Sequence, residues 1–288
     1  MSVGSVPALA DPAPTAAASR SARWGDLRKR AISAALLAPL ALLCIWLGAV
    51  PWTALIAVAA VGLGMEWANL CGKRALAWPG VAVPIQLAAA GIVTAAGMPL
   101  VAVPLLLLGT GLVLLSTGRR ALAAGVLYVG LPLVALAWLR GAGEVGRANV
   151  LFVVLIVWAS DIGAYLVGRM VGGPKLAPAI SPGKTWSGAI GGLVIAMAVG
   201  EAAAHAFGGG LAPHVAGRAA AVACMLGVAS AAGDLVESWI KRRFGVKDSG
   251  RLIPGHGGLL DRLDGLLAAA PAASLLALVL GHGEVLWN

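Results

Sequence analysis

The sequence is short of charge. Asp, Glu, Lys and Arg make up 11% of its 288 residues, against about 25% in a water-soluble domain. So few charged side chains cannot cover a water-facing surface, which excludes an ordinary cytosolic enzyme and a disordered chain. Acid is scarcer than base: twelve Asp and Glu stand against 21 Lys and Arg, for a net charge of +9. Cysteine is scarce too. Cys44, Cys71 and Cys224 lie in or beside apolar stretches without CxxC spacing, so neither a disulfide framework nor a zinc site is indicated. What remains is apolar, at 60% of the chain. The apolar runs are too continuous for the alternating strands of an outer-membrane barrel. The composition predicts an all-α integral membrane protein, a polytopic helical bundle.

Residues 1–30 are rich in Ala, Pro and Ser and end in Arg28-Lys29-Arg30. They read as a disordered basic cytoplasmic tail. Apolar segments near 31–50, 52–70, 80–97, 99–116, 121–139, 149–168, 187–207, 216–236 and 264–281 predict about nine transmembrane helices. The run 75–116 would form a helix about twice the ~30 Å hydrocarbon thickness, so it must turn, and Gly97-Met98-Pro99 is the expected break. With the N-terminus cytoplasmic, all but Arg140, Arg147 and Arg218 of the 21 basic residues fall on the inner side, as the positive-inside rule requires. The basic residues therefore report topology, and nucleic acid is not an expected partner. Trp24, Trp46, Trp52, Trp67, Trp78 and Trp138 fall near span ends, as in an aromatic belt.

The chain divides by polarity. Residues 31–140 read as N-terminal transmembrane helices with little chemistry; Glu66, Trp67 and Asn69 look like an interfacial helix end. Residues 141–288 read as a catalytic membrane region with two long cytoplasmic loops, 169–186 and 237–263, and long loops are where function concentrates. Asp161 lies inside an otherwise apolar span, where a carboxylate costs several kcal/mol unless paired or wet. An interhelical clamp would be its plain structural role, but that leaves the adjoining basic loop unexplained. Glu201 and His205 read as a structural i,i+4 pair towards the opposite side.

The first loop places Lys175, Ser181, Lys184 and Thr185 just ahead of a helix start, an anion site in kind. Helix capping by hydroxyls plus a positive-inside lysine accounts for it equally well. Asp234, Glu237, Ser238 and Lys241 form one stripe of a helix leaving the membrane. Lys247-Asp248-Ser249-Gly250 follows, then Pro254-Gly255-His256-Gly257-Gly258 and Asp261-Arg262-Leu263-Asp264. Carboxylates in pairs suit Mg²⁺, with substrate phosphates completing the shell, and the surrounding cations suit phosphate oxygens. The mixture suggests Mg²⁺-dependent phosphoryl or nucleotidyl transfer.

The stretch 238–264 resembles the signature of the phosphatidate cytidylyltransferases (CDP-diacylglycerol synthases). It carries Ser238, Ile240, Lys241, Arg242, Lys247, Asp248, Pro254, His256, Gly257, Gly258, Leu259, Asp261, Arg262, Leu263 and Asp264 without a departure. Asp161, Ala164 and Tyr165 resemble the family's Asp-x-x-Ala-Tyr segment, and 181–186 its Ser-Pro-x-Lys-Thr-Trp segment. The family commonly has Glu where this chain has Ser187. The resemblance spans roughly 150–270.

The resemblance implies transfer of CMP from CTP to phosphatidate, giving CDP-diacylglycerol and pyrophosphate, at a cytoplasm-facing site in the inner membrane. It implies Asp234 and Asp261 as Mg²⁺ ligands with Asp264 and Asp248 beside them, and Asp161 positioning a cation or Lys. It further implies Lys184, Lys241 and Arg242 as phosphate binders, Ser181 and His256 orienting phosphate oxygens, and the 256–258 backbone lining the nucleotide site. Thr185, Ser238, Lys247 and Arg262 join the substrate-binding set. Homodimerisation is a family-level expectation. Rival readings are a CTP-dependent transferase or kinase acting on another lipid phosphate or a polyprenol, and an ion-coupled transporter using Asp161 and Glu201.

Overall fold

The computed structural model describes residues 33, 35–208, 213–250, 252–253, 257–281 and 284–287; the expected tail 1–30 lies outside them. Among the described residues the chain forms nine helices and one hairpin. The helices are α1 (Ala35–Leu47), α2 (Ala49–Leu70), α3 (Ala82–Ala95), α4 (Pro99–Thr117), α5 (Arg120–Arg140), α6 (Gly143–Val171), α7 (Trp186–Gly208), α8 (Pro213–Arg243) and α9 (Leu260–Leu280). Seven of these are long and apolar enough to cross a membrane, whereas α1 and α3 are shorter. The protein is a polytopic helical membrane protein. The expected break at 97–99 is present: α3 stops at Ala95, Gly97 turns with φ 81°, and Pro99 opens α4.

Hydrogen bonds between distant elements sort the helix ends into two layers. At one end Trp67 Nε1 donates to Ala121 O at 3.0 Å, joining the end of α2 to the start of α5. The links from α6 to α7 and from α8 to α9 lie at this same end. At the other end Arg140, on α5, donates through Nε to Ile45 O (2.7 Å) and through Nη2 to Trp46 O (3.2 Å). It thereby satisfies carbonyls that the end of α1 leaves unpaired. There Asn149 also holds the C-terminal segment, donating to Glu284 O and accepting from Leu286 N, both at 2.9 Å.

The tightest helix pair is α6 against α7, and small residues make it so. A side-chain carbon on Gly192 would stand 2.6 Å from Ser160 O, and one on Gly188 would stand 2.7 Å from Ala164 O. Without a hydrophobic drive between helices in lipid, such close backbone approach supplies the packing attraction. Trp67 departs from the aromatic-belt reading: it is buried against α5, where Gly125 leaves room for its indole. Trp52 is likewise buried, while Trp46 and Trp78 are exposed as expected.

Both long connections hold more regular structure than their polarity suggests. Residues 169–186 contain the end of α6 and an antiparallel hairpin, β1 (Lys175–Ala177) with β2 (Ser181–Thr185), pairing Lys175 with Thr185 and Ala177 with Ser181. Residues 237–243 continue α8, and α9 begins at Leu260. Charge does not end a helix that emerges into water, and the i,i+4 stripe on α8 supports its last turns.

Candidate active site

The hairpin, the C-terminal half of α6 and the facing ends of α8 and α9 enclose a cavity of about 740 Å³. Asp161, Lys184, Thr185, Asp234, Asp261, Arg262 and Asp264 all line it, so the first loop, the acid of the α6 span and both ends of the second loop converge on one space. Arg169, Lys175 and Tyr165 join that wall. Four carboxylates and four cations therefore face one another there.

Each side chain is placed by its element. Thr185 ends β2, and its Oγ1 accepts the N–H of Gly188 at 3.1 Å, capping α7. Ser187 Oγ instead donates to Gly172 O, so the residue that stands in place of the family's Glu ties the two ends of the hairpin connection together. The hairpin delivers Lys184 to α8, where its Nζ is 2.6 Å from Asp234 Oδ2. Asp234 Oδ1 also accepts from Ser238 Oγ, one helical turn on, at 3.3 Å.

Lys241 lies behind the cavity wall, 2.6 Å from Asp261 Oδ1 and 3.3 Å from Glu237 Oε1. Asp261 is the most heavily bonded acid: Oδ2 also accepts from Ser249 N (2.9 Å), Ser249 Oγ (3.0 Å) and Gly258 N (2.9 Å). It thus fastens the loop before α9 as well as facing the cavity. Arg242 points elsewhere, to Ile180 O at 3.4 Å and Val246 O at 3.3 Å, tying the hairpin to the end of α8.

Several expected site residues stand off the wall. Ser181 is in the hairpin ladder. Ser238, Lys241 and Arg242 act on wall residues or loop carbonyls. Lys247 and Asp248 are exposed on the loop. Gly257, with φ 84°, and Gly258 form the turn into α9. His256 lies outside the described residues.

Sequence reasoning missed Glu66. It read as an interfacial helix end, yet it is buried and accepts the N–H groups of Leu259 and Leu260 at 2.7 and 2.8 Å. It is the single acid in residues 31–140, and that isolation was the available signal. The three cysteines are free; burial pushes the Cys71 thiol up to about 11, which keeps it protonated and unreactive. Among the described residues no three of His, Cys, Asp and Glu stand close enough to enclose a metal ion unaided.

Comparison with known proteins agrees with this geometry. A family model described as the cytidylyltransferase family matches residues 28–280. The phosphatidate cytidylyltransferase of Brucella abortus (strain 2308) is 41% identical over 269 residues, covering 91% of this chain and 97% of the relative. That of Brucella suis is 41% identical over 268 residues, covering 90% and 96%. That of Haemophilus influenzae is 49% identical over 130 residues, 44% of each chain. A match that spans both halves of the bundle means that this chain belongs to the cytidylyltransferase family.

Proposed function

We propose that this chain is a phosphatidate cytidylyltransferase, transferring CMP from CTP to phosphatidate. The carrying observation is that four carboxylates and four cations line one cavity at one end of the bundle. A phosphate oxygen of phosphatidate bonds to the α-phosphorus of CTP, and the bond from that phosphorus to the bridging oxygen breaks, releasing pyrophosphate. The nucleophile is already anionic, so no base is needed to activate it. The barrier is the mutual repulsion of two anions and the charge gathering on the leaving group, and fixed cations lower it. Lys184, Lys175, Arg169 and Arg262 supply that charge on the wall.

The donors fit Mg²⁺. Asp234 holds the Lys184 ammonium 2.6 Å away on the cavity wall, and Asp261 holds that of Lys241 at the same distance from behind it, so both carboxylates stand where positive charge binds. Mg²⁺ is held by one or two carboxylates with phosphates and waters completing its shell, so an unaided three-ligand cage is not required. Asp234 and Asp261, with Asp264 on the same wall, would hold the ion, which when bound draws phosphate oxygens together and takes up leaving-group charge. Lys241, itself paired with Glu237, keeps Asp261 in place.

The cavity end faces the cytoplasm in this reading, and the chain crosses nine times with its N-terminus inside. The basic pairs Lys73-Arg74 and Arg119-Arg120 follow helix ends in the cavity-side layer. Alternation requires α3 to carry the chain back between α2 and α4, although at about 1.5 Å per residue its 14 residues are short for the bilayer.

The test is to incubate purified protein with phosphatidate, Mg²⁺ and CTP labelled at the α- or the γ-phosphate. Labelled lipid from α-labelled CTP alone supports the reading. Lipid labelled from γ-labelled CTP would indicate a kinase, and no labelled lipid would reject the assignment.

A further inference from the structure

The start of α9 carries Asp261 and Asp264 into the cavity, but it does not cap itself. Its N-cap residue is Leu259, whose side chain makes no cap hydrogen bond. The first amides of a helix need acceptors, and here they come from α2. Glu66, 3% exposed, accepts Leu259 N at Oε1 (2.7 Å) and Leu260 N at Oε2 (2.8 Å). Oε2 also faces Ser249 Oγ at 3.3 Å, and the same hydroxyl faces Asp261 Oδ2 at 3.0 Å. Two carboxylates from opposite ends of the sequence thus grip one serine and one helix start.

Gly258 makes the grip possible. A side-chain carbon there would collide with Ser249 Oγ and stand 2.8 Å from Glu66 Oε2. Glu66 does not line the cavity, and both of its oxygens face donors of the 249–260 segment, so it has no surface to offer a substrate. Its geometry does one thing: it fixes where the chain turns into α9, and therefore where Asp261 and Asp264 stand.

We propose that Glu66 is a positioning residue for nucleotidyl transfer, acting through Ser249 and the Leu259 and Leu260 amides on Asp261. The proposal rests on the cytidylyltransferase reading above. It gives the N-terminal half of the bundle a part in the reaction, since α2 reaches the site through this one acid. Glu66→Gln keeps the side chain's size but turns one of its two acceptor oxygens into a donor facing N–H or O–H groups.

The experiment compares wild type, Glu66→Gln and Ser249→Ala in detergent, with kcat and KM for CTP and phosphatidate measured per folded protein. Hydrogen exchange is followed over residues 257–262. Glu66→Gln is expected to lower kcat by about 10- to 100-fold, the usual cost of losing an outer partner of a site carboxylate. KM should change by less than about threefold, because the lost interaction is not with substrate. Exchange should accelerate at Leu259 and Leu260 and not in α4 or α7. A kcat within about twofold of wild type overturns the proposal, as does a loss wholly explained by a smaller folded fraction. If Glu66→Gln does not accumulate, Ser249→Ala decides: it leaves both amide bonds intact, so a several-fold fall in kcat supports the bridge and unchanged kcat overturns it. An inactive wild type overturns the cytidylyltransferase reading itself, whereas an active wild type with an unimpaired Glu66→Gln overturns only the role of Glu66.

Discussion

Replacing Lys241 by Met removes one charge from the most enclosed ion cluster among the described residues. The lysine side chain is 13% exposed, and its partners Glu237 and Asp261 are 3% and 9% exposed. Taking away the shared cation leaves two carboxylates without it in a site that water barely reaches. Breaking a buried pair costs about 3–5 kcal/mol. The Glu144–Arg147 pair supplies an internal contrast, because Glu144 is 78% exposed; Glu144→Gln should cost less than about 1 kcal/mol. A second change, Glu237→Gln on the Lys241→Met background, removes one of the stranded charges and should return part of the loss, so the two substitutions couple and do not add. Equilibrium unfolding in mixed micelles reads these variants, Glu237→Gln alone and wild type, five proteins in all. A Lys241→Met cost no larger than that of Glu144→Gln, or strict additivity of the double variant, would refute the claim that this cluster is electrostatically enclosed.

Three further outcomes follow from other parts of the fold. Lys184→Met should lower transfer by about 100-fold or more, the scale of losing one fixed donor to developing charge, while its partly exposed pair with Asp234 limits the stability cost to about 1 kcal/mol; kinetics and unfolding on one preparation check both. Gly192→Val should cost at least about 1–3 kcal/mol, because α6 has no room to withdraw from α7, and folded yield with unfolding midpoint reads this. Arg140→Leu should destabilise by about 1–3 kcal/mol through the carbonyls it strands at the end of α1, yet leave kcat per folded molecule unchanged, since it lies at the end opposite the cavity.

The parts of the site legible in the sequence are those whose partners are near in the chain or whose spacing is helical. Asp161 stood out because a carboxylate in an apolar span demands a reason, and it does line the cavity. Asp261 and Asp264, three apart, reach the same wall, as one helix face requires. The sequence did not show that Asp261 would also clasp Ser249 and Gly258, because loop closure depends on backbone amides that carry no residue signature. Glu66 was illegible for a related reason. An acid at a helix end usually meets water, and the amides that claim this one lie on the far side of the bundle from it in sequence. The hairpin at 175–185 was hidden too, since Pro, Gly and Lys read as loop until the tight α6–α7 packing brings its two ends together.

The central claim is that carboxylates gathered on one wall hold positive charge so that two phosphates can meet. Single-turnover transfer of the α-phosphate label of CTP to phosphatidate by Asp234→Asn, against wild type at equal folded concentration, tests this most directly. The account predicts a loss of at least about 100-fold with helix content and CTP-independent lipid binding unchanged; transfer at a rate near that of wild type would contradict it.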